Sequence, residues 1–277
     1  MIRIQNLSFA YRKKPVFQGL NLQFEAGHVY GLLGKNGTGK SSLLRNIAGL
    51  LHPQNGSITV NGLTPSERLP VFLEDTFMVP EEFYLPDISV PDFVKHYVPF
   101  YPRFDQKSFG NYISIFEIPA DSTLQNMSYG QKKKVLISFA LATNAKVLLM
   151  DEPTNGLDIL SKSQFRKILA EALDEERCII ISTHQVKDLE NLIDRITVID
   201  EGKILFDENV EDITNKLSFR FAYDKADLAT AIYSESLLRG HVIVAPNTER
   251  EESKLDLELL YKAIVTNPGT ITKLFQS

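Results

Sequence analysis

Apolar positions along the chain fall into two periods, and the change from one to the other marks the elements. Continuous or alternating apolar runs at Ile2 and Ile4, at Val29, Tyr30, Leu32 and Leu33, at Phe77, Met78 and Val79, at 146–150 and at Cys178, Ile179, Ile180 and Ile181 predict strands. Ser42, Leu43, Leu44, Ile47 and Ala48 recur at helical spacing, as do Val135, Leu136, Phe139 and Ala140. The class is α/β, with a parallel sheet at its centre. Residues 1–26 together with 56–63 predict a small antiparallel β region, with turns at 54–56 (QNG) and 60–62 (VNG). Runs at 196–200 and 203–206, joined by Glu201 and Gly202, predict a closing hairpin. The stretch 86–142 reads as a helical subdomain rich in aromatics: Phe93, Tyr97, Phe100, Tyr101, Phe104, Phe109, Tyr112 and Phe116, which are assigned to core rather than to binding surface. Beyond about residue 208 the pattern alternates helix-like and strand-like pieces. There Leu255, Leu257, Leu259, Leu260 and Ala263 predict one amphipathic helix.

The first candidate chemistry lies between the strand ending at Leu33 and the helix entered at Ser42. Gly34, Lys35, Asn36, Gly37, Thr38, Gly39, Lys40 and Ser41 form G-x-x-x-x-G-K-S in the strand, loop, helix context that a phosphate loop requires. Glycines 34, 37 and 39 let the backbone curl so that successive N–H groups point inward, and the positive end of the helix adds to the anion site. Lys40 is placed to reach the β- and γ-phosphates of a nucleotide, and the Ser41 hydroxyl to ligate Mg²⁺.

Two further stretches narrow the generic nucleotide binder. MSYGQKKK at 127–134 contains Ser128 and Gln131 as an S-x-x-Q capping box, so a helix with free N–H groups begins there, a second phosphate-binding end. Taken alone it would be an ordinary capped helix with a solvated run Lys132, Lys133, Lys134. VLLMDEPTNGLD at 147–158 ends a buried strand in Asp151 and Glu152, at the sheet edge where open α/β folds hold ligands. In combination with the phosphate loop, these stretches resemble the signature, Walker B strand and D-loop of the ABC-type ATPases.

That resemblance covers roughly residues 1–208 and implies the P-loop NTPase core of the ABC type, with an antiparallel β subdomain, a helical signature subdomain at about 86–142, and 209–277 as a small C-terminal accessory region of unreadable role. It implies that two cassettes pack head to tail, each ATP lying between one phosphate loop and the opposite signature, so that Ser128, Tyr129, Gly130 and Gln131 serve the partner's ATP. Tyr129 replaces the family's usual glycine and adds bulk there. Asp151 resembles the Mg²⁺-holding carboxylate, Glu152 the general base, and Asp158 the D-loop acid that crosses to the partner. His184, after Ser182 and Thr183, matches the switch histidine that contacts the γ-phosphate. Tyr11 falls where an aromatic ring stacks on adenine, its alternative being a tyrosine of the β region. The family's Q-loop glutamine is missing: Glu81 stands best aligned with it, either as a ligand toward Mg²⁺ or as a solvated loop acid beside Glu82.

Bulk properties limit the alternatives. The 277 residues suffice for one to two domains with a substantial core. A formal net charge of −5 and a pI near 5.6 give no basic footprint for nucleic acid. Cys178 is the only cysteine, so no disulfide can form within the chain and a reducing compartment is expected. No signal peptide is visible ahead of Ile2, and the apolar window 135–150 is interrupted by Thr143, Asn144 and Lys146. The expectation is therefore an ATP-hydrolysing subunit of an ABC transporter, using ATP and Mg²⁺, cytoplasmic and peripheral on the inner face of the membrane. It would pair with a second cassette as a homodimer or heterodimer, and with an integral membrane permease, in an exporter of the multidrug-resistance type. A soluble ABC-family ATPase acting on ribosome or DNA is the alternative; the fused second cassette or long coiled coil that such proteins carry is absent from the sequence.

Overall fold

The computed structural model describes every residue except 120, 190–191, 223–224, 239, 249–252 and 277. In chain order the first half runs β1 (Ile2–Tyr11), β2 (Lys14–Phe24), β3 (His28–Leu33), α1 (Lys40–Ile47), β4 (Asn55–Val60), α2 (Pro70–Glu74), β5 (Thr76–Val79), α3 (Val90–Tyr97), α4 (Gln106–Ile115) and α5 (Tyr129–Ala142). It continues with β6 (Val147–Asp151), α6 (Ile159–Glu171), β7 (Cys178–Thr183), β8 (Arg195–Asp200) and β9 (Lys203–Asn209). The tail adds α7 (Val210–Lys216), β10 (Leu217–Ala222), α8 (Lys225–Thr230), β11 (Tyr233–Leu237), β12 (Gly240–Pro246), α9 (Leu257–Thr266) and α10 (Pro268–Gln276).

Six strands make the central sheet in the order β5-β6-β7-β3-β8-β9, parallel except for the antiparallel edge strand β9. Parallel strands buried on both faces need apolar residues throughout, and the two faces separate by the period of two. Val147, Leu149 and Ile180 pack with α1 and the β1–β2–β4 sheet, whereas Leu148, Met150, Ile179 and Ile181 pack with α5 and α6. The register sets Leu33 beside Thr183 and Asp151 beside Ser182. Three functional segments, following β3, β6 and β7, therefore leave the sheet side by side at its carboxyl edge.

The small antiparallel β region is β2-β1-β4. Its VNG turn is as expected, with Asn61 and Gly62 both at positive φ. The QNG segment is a correction: Gly56 lies inside β4 at φ +81, and a Cβ there would stand 2.3 Å from the Asn6 carbonyl oxygen, opposite the register shift between Gln5 and Ser8. Its glycine serves a bulge rather than a turn.

The aromatic stretch is core for the most part. Phe139 on α5 is fully buried, with the rings of Phe77, Phe93, Tyr97, Tyr101, Phe104 and Phe109 within 6.4 Å. Tyr97 and Phe100 depart from the expectation: they are 40% and 65% exposed. In the tail, Leu257, Leu259, Leu260 and Ala263 are buried on α9 as expected, whereas Leu255 precedes the helix. Leu217, Val244, Leu260 and Ile271 belong to the same apolar cluster as Val29, Leu33 and Val198 of the sheet. Residues 209–277 thus extend the cassette's core, and β9 runs through position 208 to Asn209.

Candidate functional site

The phosphate loop starts where β3 ends. Gly39 caps α1 at φ +111, and a Cβ there would lie 2.7 Å from the Phe17 ring, so only glycine permits both the backbone angle and the approach of β2. Lys40 is 5% exposed and folds back over the loop, donating to the main-chain oxygens of Gly34 at 2.7 Å and Lys35 at 3.2 Å. Its Nζ lies 3.7 Å from Glu152 Oε1. Burial pushes the Lys40 ammonium down from its ordinary value, against the pull of Glu152 and Asp151. Thr38 Oγ1 tightens the loop by donating to the Lys35 carbonyl at 2.9 Å.

Asp151 and Glu152 stand at the end of β6 as expected and point to different work. Asp151 Oδ1 accepts from Ser41 Oγ at 3.0 Å and Ser182 Oγ at 2.5 Å, while its buried Oδ2 has no partner. A fully buried carboxylate oxygen without a donor fits a cation, and a hydroxyl and a carboxylate side by side are the oxygen ligands that Mg²⁺ takes alongside phosphate. Among the described residues no group of three His, Cys, Asp or Glu could hold a metal. Glu152 adopts φ +47, and this left-handed backbone aims its carboxylate into the site. Its Oε2 accepts from Thr183 Oγ1 at 3.2 Å and from the His184 amide at 3.4 Å, and His184 Nδ1 lies 2.9 Å from Oε1. The predicted base and switch histidine are thus in contact.

A cavity of about 630 Å³ opens over these groups. Asn36, Gly37, Thr38, Gly39, Lys40, Ser41 and Ser42 line it, together with Tyr11, Glu81 and Glu152. Tyr11 is 44% exposed, sits edge-on to Phe9 and accepts from Ser42 Oγ at 3.3 Å, which presents its ring at the cavity mouth. Glu81 is brought into the site, with Oε1 accepting from Asn155 Nδ2 at 3.1 Å. Gly34 and Lys35 turn their other side to a second cavity of about 420 Å³, shared with His184, Lys187, Glu258 and Tyr261. Lys14, Pro15, Val16, Glu201 and Gly202 also line the first cavity; no local motif marks them.

The signature helix starts with both bonds of its capping box: Gln131 N donates to Ser128 Oγ at 3.2 Å and Ser128 N to Gln131 Oε1 at 2.9 Å. As a cap the Ser128 hydroxyl only accepts, so its own proton is left for another oxygen. Tyr129 stacks on Phe83 at 5.2 Å and donates its hydroxyl to the Glu81 carbonyl. A Cβ on Gly130 would stand 3.0 Å from the Gly156 carbonyl oxygen. Asp158 caps α6, accepting from Ser161 N at 2.8 Å and Ser161 Oγ at 3.0 Å, bonds that hold its carboxyl below the usual range. The lysine run is not the solvated face of the alternative reading. Lys133 is fully buried, its Nζ donating to the Glu152 carbonyl at 2.7 Å, and burial pushes it down to about 8. Lys134 is half-buried and donates to the Phe116 carbonyl at 3.1 Å. The available signal was position: Lys133 precedes Leu136, Ile137 and Ala140 by three, four and seven residues, which puts it in the buried stripe.

Comparison with known proteins agrees with this geometry. The family model described as ABC transporter matches residues 17–155. The chain is 23% identical to the ABC transporter ATP-binding protein YtrB of Bacillus subtilis, over 99% of this chain and 97% of that protein. It is 34% identical to the methionine import ATP-binding protein MetN of Carboxydothermus hydrogenoformans, over 77% of this chain and 67% of that protein. Against the lantibiotic transport ATP-binding protein SrtF of Streptococcus pyogenes the identity is 31%, over 78% and 96%. Among solved structures, cbiO1 from Clostridium perfringens, part of the complex cbiONQ, superposes with a TM-score of 0.63 at 28% identity, covering 76% of this chain and 89% of that one.

Proposed function

The chain belongs to the ABC transporter ATP-binding family, and from that premise we propose that this ATPase subunit works as one half of a head-to-tail pair driving a separate membrane protein. The observation that carries the reading is a division of phosphate-binding chemistry. The loop, Lys40 and Glu152 line one cavity, and none of Ser128, Tyr129, Gly130 and Gln131 is among its described lining residues. The signature cap is left to serve ATP on a second cassette.

In the proposed cycle ATP lays its phosphates on the N–H groups of 34–41 with adenine against Tyr11. Lys40 exchanges the Gly34 and Lys35 carbonyls for the β- and γ-phosphates. Ser41 and Asp151 would hold Mg²⁺, Glu81 of the same cavity would join them through its carboxylate, and the ion would offset charge on the phosphate oxygens. Glu152 takes a proton from the attacking water as the water oxygen bonds to the γ-phosphorus and the bond to the β–γ bridging oxygen breaks, releasing ADP and phosphate. His184 keeps that carboxylate oriented, and the partner's Ser128 donates its free hydroxyl proton to the γ-phosphate.

The membrane protein is proposed to dock a helix in the groove of about 650 Å³ lined by Leu50, Phe72, Leu73, Met78, Phe100 and Tyr101, where Phe100 and Leu50 are more than half exposed. No helix among the described residues is long and apolar enough to cross a membrane. A cytoplasmic position at the inner membrane face follows from the ATP supply and the proposed partner. Export of the multidrug-resistance type is the finer reading. It draws on the lantibiotic transport relative, matched over 96% of its length, against 67% and 79% for the methionine and cobalt import proteins. Inside-out vesicles carrying the complex would accumulate the substrate on adding ATP if it exports.

Complementation tests the shared site. Lys40→Ala should lose nucleotide binding and Ser128→Arg should bind ATP without turning it over. A mixture of the two can build one intact loop opposite one intact signature, so activity should return; mixed dimers without activity would refute the trans arrangement.

A further inference from the structure

Lys133 is set apart from the other lysines of the signature run by what its ammonium touches. Nζ donates to the main-chain oxygens of Glu152 at 2.7 Å and Asn155 at 3.1 Å, and the ring of Tyr129, one helical turn earlier, lies 5.6 Å away. Both carbonyls belong to the turn that leaves β6. That turn holds Glu152 at φ +47, a conformation strained for a residue with a side chain, which persists only where its surroundings over-determine it. On the sheet side Glu152 N donates to the Ser182 carbonyl at 3.0 Å. On the helix side the only side-chain donor to the Glu152 carbonyl among the described residues is Lys133. Hydrogen bonds from an ammonium are roughly twice as strong as neutral ones, and an apolar side chain in its place would take the charged donor from both carbonyls, leaving that of Glu152 only the Asn155 amide at 3.2 Å.

We propose that Lys133 is a positioning residue for ATP hydrolysis: it pins, from the signature helix, the main-chain turn that aims the Glu152 carboxylate. Tyr129 closes over the pair, with Gly156 of the same turn packed on its ring, where a Cβ would come within 3.1 Å. The helix that Ser128 caps and the base of the chain's own site therefore move as one body. Contact of the cap with a partner's nucleotide reaches the local Glu152 through five residues of rigid helix. The proposal rests on Glu152 as the general base.

The test uses full-length Lys133→Met, Glu152→Gln and the double variant. Lys133→Met should lower kcat by on the order of tenfold to a hundredfold, the effect of misaiming a reacting group. Its Kd for Mg·ATP should stay within about twofold of wild type, a split that a general loss of structure would not give. In the Glu152→Gln background the same change should have no further effect on the residual rate, because the group that Lys133 positions is already gone. Lys133→Gln, which keeps one shorter donor, should fall between Met and wild type, and serves alone if the Met variant does not fold. A wild-type kcat in Lys133→Met and Lys133→Gln, or an equal further loss in the Glu152→Gln background, would overturn the proposal. Full activity of Glu152→Gln by itself would instead remove the base assignment beneath it.

Discussion

Replacing Glu152 by Gln changes one heavy atom and isolates the charge. The amide keeps the shape of the side chain, and its oxygen can still accept from Thr183 Oγ1 and the His184 amide, now at 3.2 and 3.4 Å from Oε2. What it loses is a base and the partner of Lys40. General-base catalysis is worth about 10²–10⁴ in rate, so phosphate release at saturating Mg·ATP should fall at least a hundredfold, or about 2.7 kcal/mol in the barrier. Binding should move the other way. At 3.7 Å the attraction between Lys40 and Glu152 is on the order of 4 kcal/mol at an effective dielectric near 20, before the cost of desolvating two side chains that are 6% and 5% exposed. The γ-phosphate competes with that pair for the same ammonium. Removing the carboxylate frees Lys40, so the Kd for ATP should hold or tighten, and ATP should trap a dimer visible by size exclusion. Turnover within a few fold of wild type, or a dimer that does not form with ATP at high protein concentration, would refute the reasoning.

Three smaller changes probe the rest of the site and the tail. Tyr11→Ala should raise the Kd for ATP by up to about tenfold through the loss of ring stacking, while Tyr11→Phe, which keeps the ring on Phe9, should bind as wild type by fluorescence titration; equal affinity for Ala would return Tyr11 to the β region. Glu81→Gln can keep the bond from Asn155 but drops a negative charge from the cavity that Ser41 also lines, so its half-maximal rate should need more free Mg²⁺, and superimposable Mg²⁺ titrations would make Glu81 a plain loop acid. Lys187 and Lys262 hold the Glu258 carboxyl down at about 2, so the stability it contributes is fully present above the unfolded carboxyl range and is lost as pH falls through about 2. With the Lys187 side chain 72% and the Glu258 side chain 37% exposed, solvent screens the pair and its contribution is small. Urea midpoints of Glu258→Gln and wild type should differ slightly at pH 7 and converge at pH 2.

The readable parts of the chain were those with a local cause. The phosphate loop, the capping box of Ser128 and Gln131 and the strand ending at Asp151 each follow from residues within one or two turns of one another, and each stands as the spacing predicts. Gly56 was misread because its requirement comes from a neighbouring strand: the Asn6 carbonyl, fifty residues away, leaves no room for a Cβ. The place of the tail, beyond its helix α9, was unreadable for the same reason. Its α9 reaches the segment following His184 through the 2.7 Å pair of Lys187 and Glu258, a contact between positions with no periodic relation.

Tyr129 and Lys133 show how a departure from a family pattern gains a meaning only in three dimensions. In sequence, the tyrosine is an obstruction where a glycine is usual and the lysine one cation in a run of three. In the fold they are neighbours at i and i+4 over a single turn, and the turn is the one that carries Glu152. A ring above a buried ammonium shields it from water while adding a favourable face of its own, on the order of a kilocalorie or two when desolvated. The bulk that a glycine would have spared lies along the chain's own Phe83, Gly156 and Glu81, with the hydroxyl bonded to the Glu81 carbonyl and the side chain still 46% exposed. Ser128 and Gly130 keep the family's small surface on either side of it. The helix can thus present a capped end outward and a clamp inward at once, and substitutions at 129 and 133 should alter turnover in the site of the chain that bears them.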